Sequence, residues 1–254
     1  MSVKLLEFTK LQIDIGYEEK NTMLIEQQTE FIFNKIMKAL IFSFSDKIVG
    51  IQMDIHSFNL PTTFLFTDKH KKNLMKWLYR LAEIDKSTSD LEFGKIKIDY
   101  ENWYYELGGE MMEYVYVEDY LLTPTEAAHI LGISKVTLNK YIKQGMECLD
   151  NGKHRKIPKF AVEIFLNDPV YTIKMQILAQ DKKKGKQTPQ ERAIEIAAEI
   201  MELRTKYEWK TFEEAFAGYD GDEMDDPTDY YRWQGLELEL SDIMKLSGGE
   251  RFNE

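Results

Sequence analysis

Two short stretches carry the side chains most able to recognise a ligand: S-K-V-T-L-N-K-Y-I-K from Ser134 to Lys143, and D-N-G-K-H-R-K from Asp150 to Lys156. Thr137 and Asn139 can hydrogen-bond to base edges, and the carboxamide of Asn139 offers the adjacent donor and acceptor that suit adenine. Lys135 and Lys140 suit phosphates or guanine, and Lys143 points the same way. From Thr123 to Lys159 there are seven basic residues against three acidic ones, in a chain whose formal net charge is -11. A basic island in an acidic chain is the electrostatic footprint of a face that meets nucleic acid.

Such groups act only if held on a rigid frame, and the flanking residues specify one. Thr123-Pro124-Thr125-Glu126 combines a hydroxyl cap, proline at the first helical position and a glutamate three residues after the cap. Ala127, Ala128, Ile130 and Leu131 give that helix a small apolar face, and Gly132 is placed to end it. Ser134 then caps a second helix with Val136, Leu138, Tyr141 and Ile142 as its apolar positions, and Gly145 stops it. Two short helices joined at this spacing match a helix-turn-helix, whose second helix enters the major groove. Met146–Leu149 reads as a strand, Asp150-Asn151-Gly152 as a turn and Lys153–Ile157 as a returning strand, giving a hairpin with a basic tip. Pro158 opens a third helix that buries Phe160, Ala161, Ile164, Phe165 and Leu166.

Over residues 121–168 the sequence resembles the excisionase and MerR-like winged helix-turn-helix family, whose pattern runs approximately L-T-x-x-E-A-A-x-x-L-G-I-S-x-x-T-L-x-x-Y-I-x-x-G, then a short basic wing, then I-P before a final helix. The resemblance covers about fifty residues, a fifth of the chain. It implies base contact for Lys135, Thr137, Asn139 and Lys140, and backbone contact for Ser134, Lys153, His154 and Arg155. Lys143, outward on the second helix, and Lys156, in the basic hairpin, complete the expected DNA-binding set. The wing segment M-E-C-L-D-N is more acidic than the family's, and the segment is central in the chain.

Composition bounds the rest. A chain of 254 residues, 43% hydrophobic and 13% aromatic, has enough apolar side chain for a substantial core. Cys148 is the sole cysteine, which excludes an intramolecular disulfide and a thiolate metal cluster within one chain and fits a reducing cytoplasm. The first twenty residues lack the charged-then-apolar order of an export signal, and no run of eighteen apolar residues occurs, so no membrane association is expected. From Glu199 to Glu254 there are sixteen acidic and six basic residues, an end that repels DNA and is available to a basic protein partner.

The expected fold class is α+β: an N-terminal mixed sheet-and-helix domain over 1–118, the winged helix-turn-helix over 119–169 and an acidic helical module over 170–254. Alternation at Leu11, Ile13, Ile15 and Tyr17 predicts a strand, as does alternation at Val49, Ile51, Met53 and Ile55. Asn21 caps a helix through Phe31, Ile32, Ile36, Met37 and Leu40, and Asp68 caps another through Leu74, Met75, Trp77, Leu78 and Leu81. Phe64–Phe66 is a short strand, and Lys95–Tyr105 with Met111–Val117 forms a hairpin around Gly108-Gly109. Trp103, Tyr104, Tyr105, Tyr114 and Tyr116 then pack across strands of that hairpin. His56 and His70 have no metal-ligand spacing and are ordinary surface or satisfied residues. In the last third, Val170–Gln180 is helical, Asp181–Lys186 is a basic linker, and Thr188-Pro189-Gln190-Glu191 repeats the capping box before an apolar face at Ile194, Ala197, Ala198, Ile200, Met201 and Leu203. Thr211 and Asp226-Pro227 start two further helices, the last burying Tyr230, Trp233, Leu236, Leu240 and Ile243. Asp220–Asp226 is a solvated acidic loop, because Met224 occupies a calcium-ligand position.

No phosphate-cradling glycine loop, nucleophile elbow or paired-histidine motif is present, so neither enzyme activity nor a cofactor is expected. The leading expectation is a sequence-specific double-stranded DNA-binding protein acting as a transcriptional regulator, a homodimer through its C-terminal module, located at the nucleoid. The alternatives are an antitoxin-like or phage accessory protein whose acidic module takes a basic protein partner, and an excisionase-like DNA-bending factor.

Overall fold

The computed structural model describes residues 3–53, 60–84, 89–150, 154–218 and 228–249, and for 184–186, 228 and 246–249 the backbone alone. It is mostly helical with small antiparallel sheets, in the broad α+β class. The chain divides into two compact units, Met1–Asp181 and Lys182–Glu254. The boundaries drawn from the sequence at 118 and 169 both fall inside the first.

Unit 1 is built around one helix, α5 (Asp90–Glu106), capped by Ser89, whose hydroxyl accepts from the Glu92 amide. This corrects the strand expected at Lys95–Tyr105. Ile96, Ile98 and Tyr100 do alternate, but Phe93, Ile96, Tyr100, Trp103 and Leu107 also recur at helical spacing, and the helix buries nearly its whole circumference. The charged side chains between them, Lys97, Asp99 and Glu101, are buried as well, so helical and strand periods cannot be told apart by polarity. Each has partners inside the protein, as burial of charge requires.

The segment expected as the first strand is also helical, α1 (Val3–Glu18), with Thr9, Ile13 and Gly16 on its buried face. It lies against α2 (Thr22–Ser43), where a Cβ on Gly16 would come within 2.6 Å of the Ile25 side chain. Asn21 caps α2 as expected, accepting from the Leu24 amide. β1 (Ile48–Met53) follows, and Phe64 belongs to a short helix, α3 (Thr62–Leu65), rather than a strand. α4 (Asp68–Arg80) is capped by Thr67 rather than Asp68, which occupies its first turn. β2 (Met112–Tyr116) pairs antiparallel with β1, Ile48 opposite Tyr116 and Met53 opposite Met112, instead of with a strand before it. A two-stranded ribbon alone is marginal in water. Here the core supplies the stability: Phe33, Trp77, Phe93, Tyr100, Trp103 and Tyr104 are at most 2% exposed, each worth about 1.5–3 kcal/mol on burial. The tyrosines of the expected cross-strand group thus divide, Tyr104 and Tyr105 on α5 and Tyr114 and Tyr116 on β2.

His70 is fully buried. The single proton of the Thr29 hydroxyl goes to the Ile25 carbonyl at 2.7 Å, so the 3.0 Å contact with His70 requires the proton on Nε2. Burial lowers its pKa from 6.5 to about 4. His56 and Ile55 lie outside the described residues.

After a 3-10 turn (Glu118–Tyr120) come β3 (Leu121–Leu122), α6 (Pro124–Leu131), α7 (Lys135–Lys143), β4 (Leu149–Asp150), β5 (Arg155–Pro158) and α8 (Lys159–Asn167). Their core is continuous with that of α5: Phe160 and Ile164 of α8 approach Gly94 so closely that a Cβ there would lie 2.6 and 2.7 Å from their side chains. Phe160, Ala161 and Ile164 are buried as expected, whereas Leu166 is exposed and Val162 takes the buried place. α9 (Pro169–Lys186) runs through the stretch expected as a basic linker.

Unit 2 contains α10 (Pro189–Lys206), α11 (Phe212–Ala215) and α12 (Thr228–Gly249), the first two opened by the capping boxes of Thr188 and Thr211. Its core is Ile196, Ile200, Leu203, Phe216, Trp233 and Leu236. Pairing of Arg192 with Glu239 and of Glu199 with Arg232 sets α10 and α12 antiparallel. Ile194 and Met201, placed on the apolar face from the sequence, are exposed. Asp220–Asp226 and the Asp226-Pro227 cap lie outside the described residues.

Candidate nucleic-acid interface

The two helices of the central segment have the ends their sequence specifies. Thr123 and Glu126 form a reciprocal capping box, the Glu126 carboxylate accepting from both the amide and the hydroxyl of Thr123 at 2.7 Å. Those hydrogen bonds hold Glu126 below the usual carboxylate range. Gly132 ends α6 with φ 66°, the left-handed conformation that glycine adopts without strain. Ala127 and Ala128 are the buried residues of α6.

On α7, Ser134 accepts from the Thr137 amide at 3.1 Å, and the two hydroxyls lie 2.9 Å apart. Both are therefore engaged in the cap, and Thr137 is half-buried. Leu138 is fully buried, with Tyr141 and Ile142 packed beside it. Val136, expected on that apolar face, is 80% exposed. Helical geometry accounts for this: two residues from Leu138 is a turn of about 200°, which places Val136 on the opposite side. Lys135, Asn139, Lys140 and Lys143 share the exposed surface with it, and among the described residues none of these lysines has an ion pair. An exposed aliphatic group among polar ones has a chemical counterpart in the thymine methyl.

The wing strands form a sheet ordered β3-β5-β4, with Asp150 opposite Arg155 and Leu149 opposite Lys156. β4 is shorter than expected, because Met146–Cys148 turns inward instead of extending the strand. Asn151, Gly152 and Lys153 lie outside the described residues. Arg155 spans the gap between wing and helix, its Nε on the Asp150 carboxylate at 2.8 Å and its Nη1 3.4 Å from Asn139 Oδ1. The Asp150 contact raises the guanidinium pKa. Asn139 keeps a second lone pair on Oδ1 and both donors on Nδ2 for another partner. His154 is exposed, and Lys156 is half-buried and paired with Glu118 at 2.9 Å.

The acidic wing base is explained by where Glu147 goes. Its carboxylate pairs with the ammonium of Lys97 on α5 and accepts from the Tyr116 hydroxyl of β2. Lys97, 1% exposed, also pairs with Glu101 at 3.0 Å and lies over the rings of Tyr114 and Phe160, 4.9 and 5.3 Å from their centroids. Burial alone would neutralise Lys97, but the two carboxylates outweigh it and hold the ammonium above its usual range. The same burial, with the negative charge of Glu147, drives the Tyr116 phenol well up. Neither Lys97 nor Glu147 was singled out from sequence, since fifty residues separate them. The acidity of the wing segment M-E-C-L-D-N was the only trace.

Cys148 is half-buried, and burial pushes its thiol up, away from nucleophilic use. Among the described residues no three His, Cys, Asp or Glu side chains converge as a metal site requires, and no helix is long and apolar enough to cross a membrane. No protein-family model matches the chain, and no curated protein or solved structure is significantly similar to it.

Proposed function

We propose that the protein binds double-stranded DNA sequence-specifically, as a transcriptional regulator, with α7 in the major groove and the wing along the backbone. One observation carries the reading: α7 presents Lys135, Val136, Asn139, Lys140 and Lys143 on an exposed face next to Arg155, while the nearby Glu147 is turned into the core. Cations for phosphates, a carboxamide for a base edge and an aliphatic group for a methyl are the chemical set such a helix needs. The proposed dimer is formed by unit 2, where a groove of about 710 Å³ between α10 and α12 is lined by Ile200, Met201, Leu240 and Met244. Twofold pairing there matches paired half-sites.

The test is selection of bound fragments from random duplex DNA, followed by affinity measurement across a salt series. One enriched motif, bound at least a thousandfold more tightly than shuffled sequence, is the expected result. Asn139→Ala should lower discrimination at one base position by about 1–3 kcal/mol. Equal losses on the motif and on shuffled DNA would remove Asn139 from base reading, and no binding at low salt would reject the function.

A further inference from the structure

A second cationic cluster lies outside the α7 and wing surface. Lys76 and Arg80 of α4 reach Asp99 Oδ2 at 3.0 and 2.7 Å, and Lys174 of α9 reaches Oδ1 at 3.2 Å. The Tyr171 hydroxyl donates to Oδ2 at 3.0 Å. The carboxylate is sealed beneath, 6% exposed, whereas the side chains of Lys76, Arg80 and Lys174 are 47%, 20% and 41% exposed. Three positive charges thus converge on one negative charge. Among the described residues no other carboxylate pairs with any of the three. Neighbouring Lys95 has its own partner in Asp168 at 2.9 Å.

A buried carboxylate needs compensation, but one or two cations suffice, and two cationic nitrogens on the same oxygen lie within about 6 Å of each other and repel. The cations also keep unused donors: an ammonium has three and a guanidinium five, against one each given to Asp99. The ring of Trp77 is 5.5 Å from Lys76 Nζ and 5.6 Å from the Arg80 guanidinium carbon, which fixes both heads. Surplus positive charge, free donors and fixed geometry, open on the solvent side, describe a receptor for an oxyanion with several acceptor oxygens.

We propose that Lys76, Arg80 and Lys174 bind a phosphate group, with Asp99 as the buried anchor that sets their spacing. The phosphate belongs either to the backbone of bound duplex, which rests on the DNA-binding reading, or to a free phosphate, which does not. The experiment compares the full chain with Lys76→Met/Lys174→Met, which keeps the Arg80–Asp99 pair, and with Lys10→Met/Lys38→Met, which makes the same charge change at exposed positions elsewhere. Inorganic phosphate is titrated against chloride at equal ionic strength, reading Tm and the phosphorus resonance. In parallel, log affinity for duplex DNA is followed against log salt.

A phosphate-specific rise in Tm, lost in Lys76→Met/Lys174→Met and kept in the control, is the expected result for the free chain. A fall of nearly two in the salt slope for that variant alone assigns the phosphate to DNA. Phosphate stabilisation with an unchanged slope, or with no duplex binding at all, assigns it to a free phosphate and leaves the site standing even if the DNA reading fails. Phosphate no more stabilising than chloride, together with no variant-specific change in slope, overturns the proposal.

Discussion

Replacing Lys97 by methionine tests whether the wing root is held by a buried charge cluster. The substitution keeps an unbranched side chain one atom shorter but leaves the fully buried Glu101 and the inward-turned Glu147 without their shared cation. Breaking a buried ion pair from one side costs about 3–5 kcal/mol, because the remaining charge is uncompensated. For a unit of this size that corresponds to a Tm roughly 6–20 °C lower. The double variant Lys97→Met/Glu101→Gln removes the most buried carboxylate as well, leaving Glu147, whose side chain is 24% exposed and can be hydrated. It should recover at least about 2 kcal/mol, since replacing both members of a buried pair is often close to neutral. Urea unfolding read by hydrogen exchange in α5 peptides reports on unit 1 alone, and residues 146–150 should exchange faster in the single variant. A loss under about 1 kcal/mol, or a double variant no more stable than the single, would show that the cluster is solvated and does not hold the wing.

Two further outcomes follow from buried geometry. His70 has a folded-state pKa of about 4 against 6.5 when exposed, so its contribution is complete above pH 6.5 and lost as the pH falls toward 4, when the unfolded chain protonates first. That amounts to about 3 kcal/mol, and the stability–pH curve of His70→Phe should be flatter than wild type by this much; parallel curves would refute it. Gly145 has φ +114°, and a Cβ there would lie 2.8 Å from the Gln176 backbone, which cannot yield as a side chain can. Gly145→Ala should therefore cost about 2–4 kcal/mol in urea unfolding, and a cost below about 1 kcal/mol would mean that α7 and α9 separate easily.

What the sequence made legible was local chemistry. Thr123, Ser134, Thr188 and Thr211 cap their helices by hydrogen bonds to residues three positions away, so their role is written in adjacent letters. Gly132 and Asn21 are of the same kind. The N-terminal half was misread for the opposite reason. α5 is buried on almost every side, and the polar residues that break its apolar pattern are satisfied by groups as distant in sequence as Glu147 and Lys174. Polarity then no longer reports exposure, and Ile96, Ile98 and Tyr100 imitate a strand. α1 was lost similarly, because only Thr9, Ile13 and Gly16 are buried while Leu11 and Phe8 lie exposed. Within the candidate interface, the positions of Lys135, Asn139 and Lys140 followed from helical spacing, and Val136 would have followed too had its turn from Leu138 been counted. The link from Arg155 to Asn139 needs the fold, since it joins a helix to a strand sixteen residues away.

The disposition of acid also explains how a chain of net charge -11 can present a cationic surface. Local sequence counts seven bases against three acids between Thr123 and Lys159, and the structure assigns each of those acids a partner. Glu126 is taken by its capping box, Glu147 by Lys97 and Tyr116, and Asp150 by Arg155. Only Asp150 draws on a cation of the interface itself, and it does so while orienting that cation toward Asn139. Lys135, Lys140 and Lys143 are thereby left with little local opposition. The excess negative charge lies mostly in the sequence after Glu199, and fields between exposed charges fade beyond about 8–10 Å at physiological salt. A polyanion within that distance of α7 responds to the charges around it rather than to the net charge of the chain. If α7 takes duplex DNA as proposed, its binding should weaken steeply with salt despite the acidic isoelectric point.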